Sequence, residues 1–112
     1  MKNNVIFRDT SNTSGPVTYH VLGLEDWEFF DTLINFLKKY YNIDVASSTD
    51  GINTRVWQLR CENEYFILEH NGDIGNWFYS CKPEGDSELM STIAKDLEER
   101  LKYFKDELGD VV

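Results

Sequence analysis

The sequence has few of the residues that build reactive or cross-linked sites. Its 112 residues include only two cysteines, two histidines and two prolines. No two of the cysteines and histidines lie two to four residues apart, which is the usual spacing of paired zinc ligands. The sequence also lacks a glycine-rich phosphate loop with a following lysine, and it lacks the alternating oxygen ligands of an EF-hand. We therefore expect no metal site, no cofactor and no catalytic site, and we predict that the protein is not an enzyme.

Positive charge and long apolar runs are scarce as well. No apolar run reaches the ~18 residues that a membrane helix needs, and the first residues lack the apolar stretch of a secretion signal, so we expect a cytoplasmic protein. The 20 acidic residues outnumber the 11 lysines and arginines, and the formal net charge is −9. A field of this sign repels nucleic acid and anionic membranes, because phosphate binding depends on clusters of lysine and arginine. The charge favours a basic partner; alternatively, it only keeps the protein soluble.

The composition predicts one folded domain over residues 1–112. Hydrophobic residues make up 41% of the chain and aromatic residues 14%, which is enough to build a hydrophobic core. A chain of this length suits one domain and leaves little room for a second. No repeat, low-complexity tract or linker divides the sequence.

Two segments show the periodicity of amphipathic helices. The first spans residues 24–41 and stops at Asn42, and its apolar face consists of Trp27, Phe30, Ile34, Leu37 and Tyr41. The second begins near Asp86 and Ser87, either of which is able to cap the first turn, and it stops at Gly109. Its apolar stripe consists of Leu89, Ile93, Leu97, Leu101, Phe104 and Leu108.

The remaining apolar segments predict antiparallel strands. Residues 5–7 and 17–22 favour a hairpin with a wide loop. After a strand at 43–45 and a turn-rich stretch at 47–51, we predict a meander with strands at Thr54–Cys61, Tyr65–His70 and Trp77–Cys81. The element order is β-β-α-β-β-β-β-α, which indicates an α+β fold in which both helices cover one face of an antiparallel sheet.

The two cysteines are predicted to be free thiols. If the Tyr65–His70 strand lies between the strands of Cys61 and Cys81, two strand spacings of ~4.8 Å separate the cysteines, beyond the ~7 Å limit for the Cα atoms of a disulfide. We expect both side chains to pack in the core. An alternative is a small-molecule enzyme or binding domain whose pocket holds His70 or Cys61 with a shifted pKa.

Residues 62–88 combine acidic and aromatic side chains. The segment contains seven acidic residues and a single base, Lys82. Strand alternation places Phe78 on one face of the sheet and its neighbours Trp77 and Tyr79 on the other. Outward aromatic rings among acids are typical of a surface that docks a basic protein; alternatively, these rings pack on each other or under the N-terminal hairpin. The predicted partner-binding residues are Glu62, Glu64, Glu69, Asp73, Trp77 and Tyr79.

The stretch from Tyr65-Phe66-Ile67-Leu68-Glu69-His70 through Trp77-Phe78-Tyr79 resembles small bacterial immunity proteins of toxin–immunity pairs, including those of contact-dependent inhibition systems. The chain is similar to them in size and acidity and in its predicted α+β layout. The resemblance implies a cytoplasmic inhibitor that binds a toxin domain, often a basic nuclease, and blocks its active site or substrate groove. It assigns no role to individual residues.

Two interpretations of a non-enzymatic function remain. In the first, the domain presents carboxylates to a cationic toxin surface, where the acids speed encounter and the aromatic rings provide buried anchors. In the second, it is an accessory or regulatory domain that forms a homodimer through its open sheet face or through an edge strand.

Overall fold

A computed structural model of the protein describes residues 5–103, apart from the side chain of Tyr103. The elements in chain order are β1 (Ile6–Asp9), β2 (Thr18–Val21), α1 (Trp27–Tyr41), β3 (Asp44–Asp50), β4 (Thr54–Cys61), β5 (Glu64–Asn71), β6 (Gly75–Ser80) and α2 (Glu88–Tyr103). The predicted element order and the α+β class are confirmed.

The six strands form one antiparallel sheet with the spatial order β1-β2-β6-β5-β4-β3. The predicted meander of β4, β5 and β6 is confirmed. Strand β5 separates β4, which ends with Cys61, from β6, which ends just before Cys81. The N-terminal hairpin of β1 and β2 pairs with β6 and extends the sheet sideways. It therefore does not lie over the outward aromatic residues. The alternative that these rings pack under the N-terminal hairpin is wrong.

The hydrophobic core lies between the helices and one face of the sheet. Strand residues that point to this face are almost fully buried; they include Tyr19, Val21, Leu59, Phe66, Leu68 and Phe78. The helices contribute Phe30, Leu33, Phe36, Met90, Ile93 and Leu97 to the same cluster. Because strand side chains alternate, burial of Phe78, which is 2% exposed, turns its two neighbours to the opposite face.

Helix α1 begins three residues later than the apolar pattern predicts. The backbone of Asp26 is extended, and its carbonyl and that of Leu24 accept hydrogen bonds from the Asn76 side-chain amide at 3.2 and 3.0 Å. This contact with β6 holds the entry segment outside the helix. The predicted stop is confirmed, because Asn42 adopts the left-handed conformation that ends many helices.

Helix α2 begins as the sequence predicts. The hydroxyl oxygen of Ser87 accepts a hydrogen bond from the backbone N–H of Met90 at 3.2 Å, which is the expected capping contact. The predicted apolar positions Phe104 and Leu108 and the stop at Gly109 lie outside the described residues.

Neither α2 nor α1, the helices found between residues 5 and 103, is long and apolar enough to span a membrane.

Strand β3 is longer than predicted, and the predicted turn at 47–51 is wrong. Residues Ser47–Asp50 pair with Arg55–Gln58 of β4, after a bulge between Val45 and Ser47. Serine and aspartate have low strand propensity, but the hydrogen-bonding edge of β4 outweighs this local preference. The strand carries almost entirely exposed side chains at the edge of the sheet.

Both cysteines are free thiols, as predicted, but only one packs against the core. Cys61 is partly buried, and its thiol donates to the carbonyl oxygen of Tyr41 at 3.4 Å. Cys81 is exposed, which contradicts its predicted burial. The reason is that Cys81 has the same parity as Trp77 and Tyr79, so alternation turns it away from the core, and β6 itself ends at Ser80.

One end of the core, beside the start of α1, is polar. Arg55, His70 and Asn76 lie opposite one another on neighbouring strands, and all three are buried. The His70 Nδ1 atom and the Asn76 Oδ1 atom are 3.0 Å apart. Since Asn76 also binds the segment before α1, this row fixes the helix against the sheet.

Arg55 is the arginine of this polar row, and only 5% of its surface is exposed. Its guanidinium carbon lies 4.3 to 5.1 Å from the centroids of three rings, those of Trp27, Phe30 and Trp57. Two of its nitrogens lie 3.0 and 3.1 Å from the carboxylates of Asp31 and Asp50. The arginine thus joins α1 to β3 and β4.

We predict that Arg55→Ala lowers the free energy of unfolding by about 2–4 kcal/mol, because it removes ring contacts and leaves two carboxylates without their cation. Arg60→Ala is the matched control, since exposed Arg60 forms an exposed pair with Asp44, and it should cost less than about 1 kcal/mol. Urea denaturation followed by circular dichroism measures both. Equal losses in the two variants would contradict the structural role of Arg55.

Candidate functional site

The sheet face opposite the helices, here called the open face, carries a row of side chains that runs across five strands. Phe7 of β1 pairs with His20, His20 pairs with Trp77, Trp77 pairs with Glu69, and Glu69 pairs with Val56 of β4. Side chains opposite one another in an antiparallel sheet have Cβ atoms about 4.5–5.5 Å apart. The row is therefore one continuous strip of contacts.

The rings of this row pack against each other without being sealed from solvent. The ring centroids of His20 and Trp77 are 5.7 Å apart and nearly parallel, and those of Phe7 and His20 are 6.4 Å apart. Phe7 is 51% exposed and Val56 is 40% exposed at the two ends. Trp77 therefore packs beside rings of the neighbouring hairpin, and an accessible apolar surface remains.

A second row widens this surface. Tyr79 lies opposite Ile67 on β5, and both side chains are half-buried. Two residues before Ile67, on the same face of β5, exposed Tyr65 lies opposite Arg60. We call the central part of the open face the open-face patch; it consists of Phe7, His20, Val56, Ile67, Glu69, Trp77 and Tyr79.

Glu69 is the acidic residue inside the patch. Among residues 5–103, no lysine or arginine forms an ion pair with its carboxylate. Partial burial raises the pKa of Glu69, and the nearby polar hydrogens of Tyr79 and Trp77 act in the opposite direction. Burial, together with the Glu69 charge, raises the pKa of Tyr79 to about 12. The carboxylate is thus partly desolvated, with Trp77 opposite it and Tyr79 diagonal to it on β6.

His20 does not supply a compensating charge. Burial lowers its pKa, although the Asp9 carboxylate acts in the opposite direction. Its Nε2 atom lies 3.0 Å from the hydroxyl of Thr18. We therefore treat His20 as a neutral ring of the patch at neutral pH.

The structure brings together half of the predicted partner-binding residues. Glu69, Trp77 and Tyr79 lie side by side on the open face. Glu62 lies in the turn after β4 and Asp73 in the turn after β5, so these two carboxylates stand at opposite ends of the meander. Glu64 pairs with Cys61 and points to the helix-covered side, where one of its oxygens lies 3.8 Å from Lys82 Nζ.

Four patch residues were not among the predicted site residues. His20 and Phe7 belong to a hairpin whose position in the sheet no local pattern reveals. Strand alternation alone could have indicated Val56 and Ile67. Each lies on the same face of its strand as residues that are exposed or half-buried. The register of β4 and β5 then places them beside Glu69 and Tyr79.

One cleft elsewhere in the described structure contains an acidic group that already has internal partners. A cleft of about 330 Å³ lies between α2 and β1. Its Glu98 carboxylate accepts hydrogen bonds from the backbone N–H groups of Val5 and Ile6 at 2.9 and 2.7 Å. Burial raises the pKa of the Cys61 thiol, and nearby Glu62 and Glu64 raise it further, which lowers its nucleophilicity at neutral pH. His70 is buried under α1, away from Cys61 at the other end of β4.

Metal-binding geometry is also not found in the described part of the chain. Between residues 5 and 103, no group of three or more histidine, cysteine, aspartate or glutamate side chains is arranged to hold a metal ion. The open-face patch is therefore the candidate functional site.

Comparison of the chain with protein-family models, with curated proteins and with solved structures finds no match. The interpretation of the open-face patch therefore rests on the residues and contacts of this chain. The resemblance of residues 65–79 to immunity proteins stays a prediction.

The raised pKa of Glu69 predicts a pH-dependent stability difference. An unfolded glutamate titrates near pH 4.3; the folded protein releases this proton at higher pH, so ionisation of Glu69 lowers stability as the pH rises through that interval. The glutamine of Glu69→Gln cannot ionise. We therefore expect the stability of this variant relative to the wild type to increase as the pH is raised from 4 upward, until Glu69 is ionised in both the folded and the unfolded wild-type protein.

Urea denaturation at a series of pH values measures this difference. Glu99→Gln, which removes an exposed acid of α2, controls for the loss of one surface charge. A stability difference for Glu69→Gln that does not change with pH, or that changes as it does in the control, would contradict the desolvated environment of Glu69.

Proposed function

We propose that this protein is a non-enzymatic binding domain that neutralises a basic partner, such as a bacterial toxin domain, by docking its open face against it. One observation carries the proposal: an accessible row of aromatic and aliphatic side chains lies on the uncovered face of a chain with a net charge of −9. Apolar surface of this kind, surrounded by polar groups, is typical of protein-binding sites.

The apolar and acidic residues would contribute differently to binding. Trp77 and Tyr79 lie at the centre of the patch, where large rings gain most from losing contact with water. Glu62 and Asp73 lie at the ends of the meander, at the rim, where charges speed diffusional encounter more than they add affinity. Affinity for the partner should therefore depend on the rings, and the association rate on the acids and on salt.

Inhibition would follow from the charge of the partner's own substrate site. A nuclease binds phosphate groups through lysine and arginine, so its substrate groove is positively charged. An acidic domain that docks there competes with the nucleic acid for the same cations. This mode is the one that the resemblance to immunity proteins implies.

The alternative function is homodimerisation, and a long edge favours it. Strand β3 is seven residues long, exposed, and free of lysine and proline, the residues that usually protect an edge. Charge opposes it, since symmetric antiparallel pairing of two β3 strands about Ser47 would place Asp44 opposite Asp50 of the other copy. Face-to-face pairing of two open faces would likewise bring together two acidic molecules, each with Glu69 in the facing surface.

We predict that Trp77→Ala abolishes capture of a basic protein partner from a lysate of the source organism. Ile52→Ala is the matched control, because Ile52 is a large apolar residue that is fully exposed outside the patch. Immobilised wild type and Ile52→Ala should retain the partner, and retention should fall as salt rises. Thermal denaturation checks that both variants are folded.

The captured protein is then identified, purified and titrated against each variant, and its activity is measured with and without the domain. The proposal fails if the purified protein binds Trp77→Ala and the wild type equally well. It also fails if binding leaves the activity of the partner unchanged.

We predict that the free protein is monomeric at micromolar concentration, because self-association would oppose like charges at both candidate interfaces. Light scattering coupled to size exclusion measures the molar mass at low and high salt. A stable dimer that Trp77→Ala dissociates would favour the homodimer function over partner binding.

A further inference from the structure

Among the arginines that the structure describes, Arg55 and Arg100 each lie against aromatic rings and beside a carboxylate. The guanidinium of Arg55 lies among three rings and pairs with Asp31 and Asp50. The guanidinium carbon of Arg100 lies 4.2 Å from the centroid of the Tyr40 ring, and its Nε atom lies 2.8 Å from Asp96. Rings and a carboxylate at these distances therefore form a recurring environment for a guanidinium group in this fold.

The open face contains the same components without the cation. Glu69 lies directly opposite Trp77, and Tyr79 is two residues further along β6, diagonal to Glu69. All three side chains are half-buried. Among residues 5–103, no basic side chain pairs with the Glu69 carboxylate.

We propose that Glu69, Trp77 and Tyr79 form a binding site for the guanidinium group of an arginine side chain. The carboxylate pairs with the guanidinium, and the two rings flank it. That this arginine belongs to a protein partner rests on the proposed function, whereas the site itself rests on the geometry of the patch.

Arginine fits this site better than lysine does. A guanidinium is planar and weakly hydrated, stacks on aromatic faces, and presents paired N–H groups to both oxygens of a carboxylate. The lysine ammonium is compact and strongly hydrated, so it loses more on leaving water for a site between two rings.

The basic groups nearest the site on the same face are engaged elsewhere. Arg60 lies on the open face, but its Nη2 atom is 2.9 Å from the carboxylate of Asp44. His20 stacks on the far side of Trp77 and is neutral at neutral pH. A cation that pairs with the Glu69 carboxylate therefore has to come from outside residues 5–103.

A small probe tests the site without any partner. N-acetyl-arginine N-methylamide carries the guanidinium as its single charge, and the citrulline analogue is its neutral isostere. We expect the arginine probe, at millimolar concentration, to shift the indole N–H signal of Trp77 in ¹⁵N-correlated NMR spectra. The citrulline analogue should give no shift, and the lysine analogue a several-fold smaller one. Trp77→Phe assigns the indole signal.

Glu69→Gln keeps the size of the side chain and removes its charge, and it should abolish the shift. Glu99→Gln, which lies outside the patch, should leave it unchanged. Equal shifts with arginine and citrulline probes, or in Glu69→Gln and the wild type, would overturn the guanidinium site. Equal shifts with arginine and lysine probes would overturn its preference for arginine.

The partner experiment separates this inference from the proposed function. If the site receives an arginine of the partner, Glu69→Gln should weaken binding of the purified partner more than about tenfold. If Trp77→Ala abolishes partner binding but Glu69→Gln leaves it unchanged, the docking function stands and the arginine of the partner is excluded. If the probe binds but no partner docks on the open face, the site stands and the proposed function fails.

Discussion

The structure depends on a one-sided cover: both helices pack on the same face of a six-stranded antiparallel sheet. Strand side chains alternate, so each residue buried beneath the helices fixes its neighbours on the opposite face. Burial of Phe78 thus determines that Trp77 and Tyr79 stay outside. The rings of Phe7, His20, Trp77 and Tyr79 lie in one patch, because neighbouring strands place them side by side on the open face.

The two faces of the sheet differ in how their partly or fully buried charges are paired. On the covered face, Arg55 is compensated by two carboxylates and three rings, and this cluster ties α1 to β3 and β4. On the open face, Glu69 is partly desolvated and has no basic partner among residues 5–103. The buried arginine is therefore paired within the protein, whereas an external cation at Glu69 would complete the guanidinium site that we propose.

The proposed binding function divides the acidic residues by position. Glu69 lies within the patch, Glu62 and Asp73 lie in turns at its rim, and Glu64 points to the covered side beside Lys82. A net charge alone could not make this distinction, since every acid contributes equally to it. Rim charges act over a distance comparable with the Debye length, about 8 Å at physiological salt, whereas a buried pair depends on contact.

The sequence by itself determined the features that follow from local periodicity and capping. These include the two helices, a helix cap at Asp86 or Ser87, the Asn42 stop and the alternation around Phe78, because each depends on residues within one or two turns or along one strand. Only the tertiary structure decided that the hairpin joins β6, that β3 extends to Asp50, and that Arg55 is buried. These features depend on pairing between distant strands, and the free energy of that pairing outweighs the weak local preferences of serine, aspartate and arginine.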